Sequence, residues 1–143
     1  MKKIFLITII ALGGIACNTG ELKTQSGQNG LRSDGYYESH HGKVIYLARF
    51  FTDGNVALVG GMEDGYAQMV TYLSSKGPSM NDNVHYVPFD LHANDSLFFH
   101  TKSLKGEIEY FAFSGADDTL RVLKHSHING KQMVLAYGFI PDP

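Results

Sequence analysis

One cysteine and seven histidines are the side chains of this chain with the greatest capacity for chemistry. Cys17 can form no internal disulfide because it has no partner in the sequence. His125 and His127 are two positions apart, a spacing that places both rings on one face of a strand and suits two-point metal coordination. No cysteine or carboxylate at short spacing completes a recognised metal signature around them, so the sequence predicts neither a metal site nor another cofactor.

The sequence carries no established catalytic pattern. It has no Gly-x-Ser-x-Gly elbow and no His-Glu-x-x-His helix. Glu107 and Glu109 alternate with Ile108 and Tyr110, so we expect both carboxylates on one strand face, toward solvent. A glycosidase pair would need a defined separation in space, which the sequence does not give. We therefore predict that this protein is not an enzyme.

The residues before Cys17 have the pattern of an export signal. Lys2 and Lys3 precede an apolar run of 13 residues, Ile4 to Ala16, with small residues next to the cysteine. A helix that spans a bilayer needs about 20 residues, so this run is too short for a permanent span. We predict that residues 1–16 are a signal peptide.

The segment Gly14-Ile15-Ala16-Cys17 resembles the lipobox of bacterial lipoproteins, with Gly14 where that family usually has Leu. The resemblance implies that Cys17 is acylated and becomes the mature N-terminus, held by several acyl chains of the palmitate type. Gly14 and Ala16 also fit the ordinary small-x-small cleavage rule, which would release a soluble protein with a free thiol. Acylation gives the lone cysteine a role. The implied location is the bacterial cell envelope, and Asn18 favours the outer membrane by the same resemblance.

The chain after the cysteine divides into a tether and one domain. Residues 17–34 are predicted to be a lipidated, flexible tether, since they contain almost no apolar side chains. Residues 35–143 have the length of one domain. Without Lys2 and Lys3 the chain has 10 basic against 14 acidic residues, a net charge of about −4. This balance argues against nucleic acid as a partner, and we expect a monomer.

The domain is predicted to be mostly β. Asp53-Gly54 and Asn129-Gly130 separate apolar runs and are strong hairpin signals, because the tight turns need positive φ. Short connectors force neighbouring strands to pair antiparallel, so we predict an eight-stranded up-and-down barrel that is filled by side chains or holds one small ligand. The predicted strands are Tyr36–His40, Lys43–Thr52, Val56–Gly60, Val84–Leu91, Ser96–Ser103, Glu107–Ser114, Leu120–His127 and Met133–Ile140.

One segment has helical rather than strand periodicity. Tyr66, Met69, Val70 and Leu73 follow the i, i+3, i+4, i+7 spacing, which predicts one short helix near residues 64–75. A helix of this length needs tertiary support. We expect it to complete the core on the sheet or at a barrel end, or to form a lid over a ligand mouth.

The stretch Tyr46-Leu47-Ala48-Arg49-Phe50-Phe51-x-Asp53-Gly54-x-Val56 resembles the Y-x-R-F-x-x-D-G-x-V hairpin of small lipocalin-like barrels. Such barrels occur in bacterial lipoproteins and as a domain of some eukaryotic F-box proteins. Ala48 is one residue more than that pattern has. The resemblance implies a lipocalin-like β-barrel that binds a ligand or partner, and it carries over no catalytic residue.

The aromatic content leaves two functions open. If rings do not fill the interior, the barrel binds a small apolar or amphiphilic molecule in a pocket of aromatic and apolar side chains with orienting polar groups. The candidate ligand-binding residues are Tyr46, Arg49, Leu97, Phe99, Tyr110 and Tyr137, with Arg121 as a second orienting group. A filled barrel would instead be an envelope structural or protein-interaction module. One ring of each pair Phe50-Phe51 and Phe98-Phe99 must face outward.

Overall fold

The computed structural model describes residues 30–74, 83–92, 95–115 and 117–143. The predicted signal peptide, the lipidation site Cys17 and most of the predicted tether lie outside these described residues. Within the described ranges, no helix combines the length and the apolar character needed to cross a bilayer.

Eight strands form a closed barrel in which every strand pairs antiparallel with its neighbours in sequence, so the predicted up-and-down barrel is confirmed. The strands are β1 Gly35–His41, β2 Val44–Phe50, β3 Asn55–Met62, β4 Val84–Leu91, β5 Ser96–Ser103, β6 Gly106–Ser114, β7 Thr119–Ser126 and β8 Gln132–Pro141. The first and last strands close the ring, with register from Gly35 opposite Pro141 to Glu38 opposite Gly138. Closure gives each of these strands a partner on both sides.

Both predicted hairpin turns are present, and glycine supplies the required conformation in each. Gly54 has a φ of +83° and Gly130 a φ of +68°, values that cost other residues steric strain. The N–H of Gly54 donates to the carbonyl of Phe51 at 3.2 Å, which closes the β2–β3 turn. These turns set the register that sends alternate side chains into the barrel.

Aromatic rings fill one end of the barrel. Phe50 packs edge to face with Tyr37, Phe89 and Phe99, at centroid distances of 5.8, 5.3 and 6.1 Å. The segment before β1 covers this end, since Leu31 packs on the same core and the backbone N–H of Arg32 donates to the Tyr37 hydroxyl at 2.9 Å. We call this the closed end, and the opposite end of the barrel the open end.

The predicted helix is present as a short 3-10 turn, Glu63–Gly65, followed by α1, Tyr66–Leu73. Its apolar face lies on the outer side of β2 and β3, where Met69 and Leu73 are buried against Ile45, Leu47 and Val59. The helix therefore completes a second apolar core on the barrel wall rather than plugging an end. A helix of eight residues depends on this contact for stability.

Candidate functional site

The open end of the barrel contains a cavity of about 390 Å³, which we call the mouth cavity. The apolar part of its lining includes Leu58 and Ile108. Its polar lining residues are Tyr46, Asn83, His85, Tyr110, Lys124 and Tyr137. Binding cavities for small molecules typically have 300–1,000 Å³, and the mouth cavity falls in that range with a lining in which polar and apolar surfaces are about equal.

The cavity exists because β3 offers no side chain at one inward position. Gly60 lies opposite Tyr46 in the β2–β3 register, on the face that alternation turns toward the barrel interior. The next inward position along β3 toward the closed end is Leu58, which is buried. The aromatic packing of the closed end continues through the Phe99–Tyr110 stack, with ring centroids 4.8 Å apart, to the edge of the mouth cavity, and the interior is open beyond it.

Lys124 is the cation of the mouth cavity. It follows the buried residues Leu120 and Val122 at two-residue steps on β7, so its side chain projects into the barrel. Its Nζ lies 4.6 Å from the centroid of the Tyr46 ring and 6.0 Å from that of Tyr110. Burial lowers the pKa of Lys124. Among the described residues, no carboxylate forms an ion pair with this ammonium group.

Two tyrosines of the cavity, Tyr110 and Tyr137, are neutral hydrogen-bonding groups. Burial raises the pKa of Tyr110 to about 12, and burial also raises the pKa of Tyr137 above its ordinary value. Both hydroxyls therefore keep their protons at neutral pH. The described lining contains no aspartate or glutamate. An ammonium group that no carboxylate of the described lining balances, next to phenols and apolar side chains, provides a favourable environment for an anionic group.

The structure brings together three of the six predicted ligand-binding residues. Tyr46, Tyr110 and Tyr137 line the mouth cavity. Leu97 and Phe99 are 0% and 2% exposed and belong to the packed core of the barrel. They contribute to the filled interior and not to the described lining of the cavity.

Arg49, predicted as an orienting group, points away from the barrel interior. Ala48 is buried in the barrel core, so the next residue on the strand points outward. There the guanidinium group donates two hydrogen bonds to the Asp142 carboxylate, at 3.0 and 2.5 Å. Arg121, opposite Ala136 on the exposed face of β7, is also outside the barrel. The inward cation is Lys124, and the period-two pattern Leu120, Val122, Lys124 is the signal that identifies it.

The two predicted metal-ligand candidates do share a strand face. His125 and His127 have ring centroids 4.4 Å apart on the outer wall. Glu109 comes from the adjacent strand, and its carboxylate lies 2.8 Å from His127 Nε2. The hydrogen bond from His127 lowers the pKa of Glu109. Glu107 and Glu109 share the outer face of β6, as their alternation predicts.

A second feature of the outer wall is a row of apolar side chains across four strands. The register places Phe98 opposite Phe111, Phe111 opposite Leu123, and Leu123 opposite Val134. Phe111 is 44% exposed and Val134 is 70% exposed. The expected division of the Phe98-Phe99 pair is confirmed, since Phe99 is buried in the barrel and Phe98 packs on Phe111 outside, with centroids 5.0 Å apart.

Comparison of the chain with known protein-family models, curated proteins and solved structures finds no match. The barrel geometry and the chemistry of its mouth are therefore the basis for a functional assignment.

Proposed function

We propose that this protein binds a small amphiphile with an anionic head group in its mouth cavity, as an exported lipoprotein anchored through Cys17. The observation that carries the binding function is Lys124, an inward ammonium group whose charge no described carboxylate balances. Burying a charge without a partner costs free energy, and an anionic ligand would offset that cost. No catalytic step is part of this proposal.

The size and lining of the cavity favour a small ligand with an apolar part. A volume of about 390 Å³ is near the lower end of the range for small-molecule sites. Leu58, Ile108 and the ring faces of the tyrosines offer apolar contact. A short acyl chain or a small aromatic group would bury its surface there at a gain of roughly 25 cal/mol per Å².

The head group is specified by charge and hydrogen bonding together. A carboxylate beside Lys124 would accept charge-assisted hydrogen bonds from the ammonium group, and these are about twice as strong as neutral ones. Tyr110 and Tyr137 can donate hydroxyl hydrogens to the same anion, since their raised pKa values keep them protonated. Partial burial strengthens each of these interactions relative to water.

Titration with a matched pair of ligands tests the binding function. The full chain would be titrated with a fluorescent fatty acid and with the alcohol of the same chain length. We expect Lys124→Met to weaken binding of the acid about tenfold, which corresponds to about 1.4 kcal/mol, and to leave binding of the alcohol unchanged. Lys105→Met is the matched control, because it removes one lysine from the exposed β5–β6 turn.

Two results would refute the binding function. The first is that neither probe binds the native protein. The second is that Lys124→Met and Lys105→Met bind the acid equally well, which would show that Lys124 does not interact with the head group.

The sequence pattern around Cys17 supports the anchoring part of the proposal. The lipobox-like Gly14-Ile15-Ala16-Cys17 and the short apolar run before it point to the bacterial envelope, with Asn18 favouring the outer membrane. Mass spectrometry of the mature N-terminus from membrane fractions tests it. We expect a peptide that begins at acylated Cys17, and we expect Cys17→Ser to shift the protein to the soluble fraction. An unmodified Cys17 would refute the anchor and leave the mouth cavity proposal standing.

The exposed apolar row favours a second candidate, a protein-interaction module of the envelope. Phe98, Phe111, Leu123 and Val134 present contiguous apolar side chains that a monomer gains nothing by exposing. A photo-crosslinking residue in place of Val134 would be expected to trap one envelope protein, and one in place of exposed Lys105 would not. If neither probe of the titration binds and this crosslink forms, the second candidate replaces the first.

A further inference from the structure

Three potential metal ligands converge on the outer wall of the barrel, away from the mouth cavity. The carboxylate of Glu109 and one nitrogen each of His125 and His127 all lie within 4.8 Å of one another. Glu109 Oε2 is 2.8 Å from His127 Nε2 and 3.7 Å from His125 Nδ1. We propose that Glu109, His125 and His127 form a surface site for a zinc-class divalent cation.

The backbone holds these ligands in place. Glu109 lies directly opposite His125 in the β6–β7 register. The backbone N–H of His127 donates to the carbonyl of Glu107 at 3.0 Å, so the pairing continues one step beyond β7. His127 therefore stays on the same face as His125. Ligands fixed by paired strands are better preorganised than ligands on free loops.

The donor set and the spacing suit zinc. Two imidazole nitrogens with one carboxylate oxygen is an established zinc ligand set, which leaves a fourth position for water. Ligand atoms bound at about 2.1 Å in a tetrahedral site are about 3.4 Å apart. The distances from Glu109 Oε2 to the two imidazole nitrogens, 2.8 and 3.7 Å, bracket that value, and the two nitrogens lie within 4.8 Å of each other, so side-chain rotations would complete the site.

The neighbouring charges leave Glu109 available to the histidines. Lys102 Nζ lies 3.6 Å from Glu107 Oε2, and His100 Nε2 lies 3.9 Å from Glu107 Oε1. Glu107 is thus engaged toward β5, whereas the carboxylate of Glu109, which is opposite His100 in the β5–β6 register, pairs with His125 and His127. The side chains of Glu109, His125 and His127 are 37%, 31% and 46% exposed, so an ion can reach them from solvent.

Zinc titration of the full chain by calorimetry tests the site. We expect one Zn²⁺ per chain, and we expect His127→Ala and Glu109→Gln each to weaken binding at least tenfold. His92→Ala is the matched control, since it removes one exposed histidine at the opposite end of the barrel and is expected to bind zinc as the wild type does. Zinc should raise the melting temperature of the wild type and of His92→Ala, because a ligand bound only by the native state stabilises it.

The variants can be separated from a folding defect. All three ligands are partly exposed, so the metal-free melting temperatures of the variants are expected to match that of the wild type. Glu109→Gln also preserves side-chain volume. The proposal is overturned if the wild type takes up no zinc, or if His127→Ala and Glu109→Gln bind it as tightly as His92→Ala.

Discussion

The ammonium group of Lys124 lies over the ring of Tyr46, with Nζ 4.6 Å from the ring centroid. These residues belong to β7 and β2, which are not neighbours in the barrel, so the contact crosses the interior. A cation over an aromatic face gains roughly 0.5–2 kcal/mol. Among the described residues this ring contact holds the lysine without a carboxylate that neutralises it, which is the state that an anionic ligand requires.

Replacing Lys124 with methionine is expected to make the protein more stable while it weakens binding of the anion. Burial lowers the pKa of this lysine, which means that its charged form is disfavoured in the folded state. Methionine has a similar length and no charge to desolvate. We expect a gain of roughly 0.5–2 kcal/mol in the free energy of unfolding at neutral pH, measured by urea denaturation.

The same variant has a defined pH dependence. Because the folded-state pKa is lowered, the unfolded chain binds more protons between that pKa and the ordinary value of 10.5, so the stability of the wild type rises with pH there. The difference in free energy of unfolding between Lys124→Met and the wild type should therefore become smaller as the pH approaches 10.5. A difference in free energy of unfolding that does not change with pH would contradict this explanation.

Filling the mouth cavity from β3 is expected to block ligand binding without removing any polar group. A Cβ at Gly60 would lie 3.4 Å from the Tyr46 ring, an ordinary contact, so Gly60→Val can fold and project its methyl groups into the cavity. We expect binding of both the fluorescent acid and the alcohol to weaken at least tenfold.

Gly138→Val is the control for this change. Gly138 is an exposed strand glycine, and a Cβ added there would have no atom within 4 Å. It also lies outside the described lining of the cavity. Its variant should bind both probes as the wild type does. Equal binding by Gly60→Val would show that the ligand sits elsewhere.

The strands and the helix could be predicted from local patterns, because turn glycines and hydrophobic periodicity act over a few residues. The position of the helix on the outer wall could not be predicted. Both faces of β2 and β3 are apolar, and the hydrophobic periodicity does not show which of the two faces the helix covers. Tyr46, Tyr110 and Tyr137 were identifiable as inward residues. The outward position of Arg49 follows from Ala48 facing the core, which depends on the register of the closed barrel.

The histidine cluster shows the same limit. The shared face of His125 and His127 follows from their spacing in sequence, but Glu109 joins them only through the pairing of β6 with β7. Lys124 is not among the predicted site residues, although its two-residue step from Val122 places it on the inward face. Lysine is seldom buried, so a lysine is ordinarily assigned to the outer face of a strand even where the two-residue alternation places it on the inner face.

The seam that closes the barrel depends on a glycine. A Cβ at Gly35 would lie 2.2 Å from the carbonyl oxygen of Ile140 and 2.8 Å from the Cα of Pro141, so any side chain there would force β8 away from β1. We expect Gly35→Ala to lower the free energy of unfolding by roughly 1–3 kcal/mol or more, as overpacking does.

Chemical denaturation followed by circular dichroism measures this effect, with Gly138→Ala as the control on the same seam. Gly138 pairs with Glu38 across β1 and β8, but a Cβ there meets nothing within 4 Å. Its variant should have a denaturation midpoint close to that of the wild type. Similar midpoints for the two alanine variants would mean that the seam tolerates a side chain at Gly35.

The helix is tied to the first strand by a hydrogen-bonded cluster, and removing one hydroxyl from it should loosen the helix. The Tyr66 hydroxyl donates to Glu38 Oε2 at 2.5 Å and lies 2.8 Å from the Tyr36 hydroxyl. Burial raises the pKa of Tyr66, and the hydrogen bond to the carboxylate raises it further, so the phenol is a neutral donor at neutral pH. Tyr66→Phe keeps the ring and removes the donor, which should lower the free energy of unfolding by roughly 1–2 kcal/mol because the acceptor is charged.

Tyr72→Phe is the matched control, since the Tyr72 hydroxyl accepts only from the exposed side chain of Gln68 among the described hydrogen bonds. Amide hydrogen exchange across α1 should then be faster in Tyr66→Phe than in Tyr72→Phe, and equal exchange in the two variants would show that apolar packing alone holds the helix.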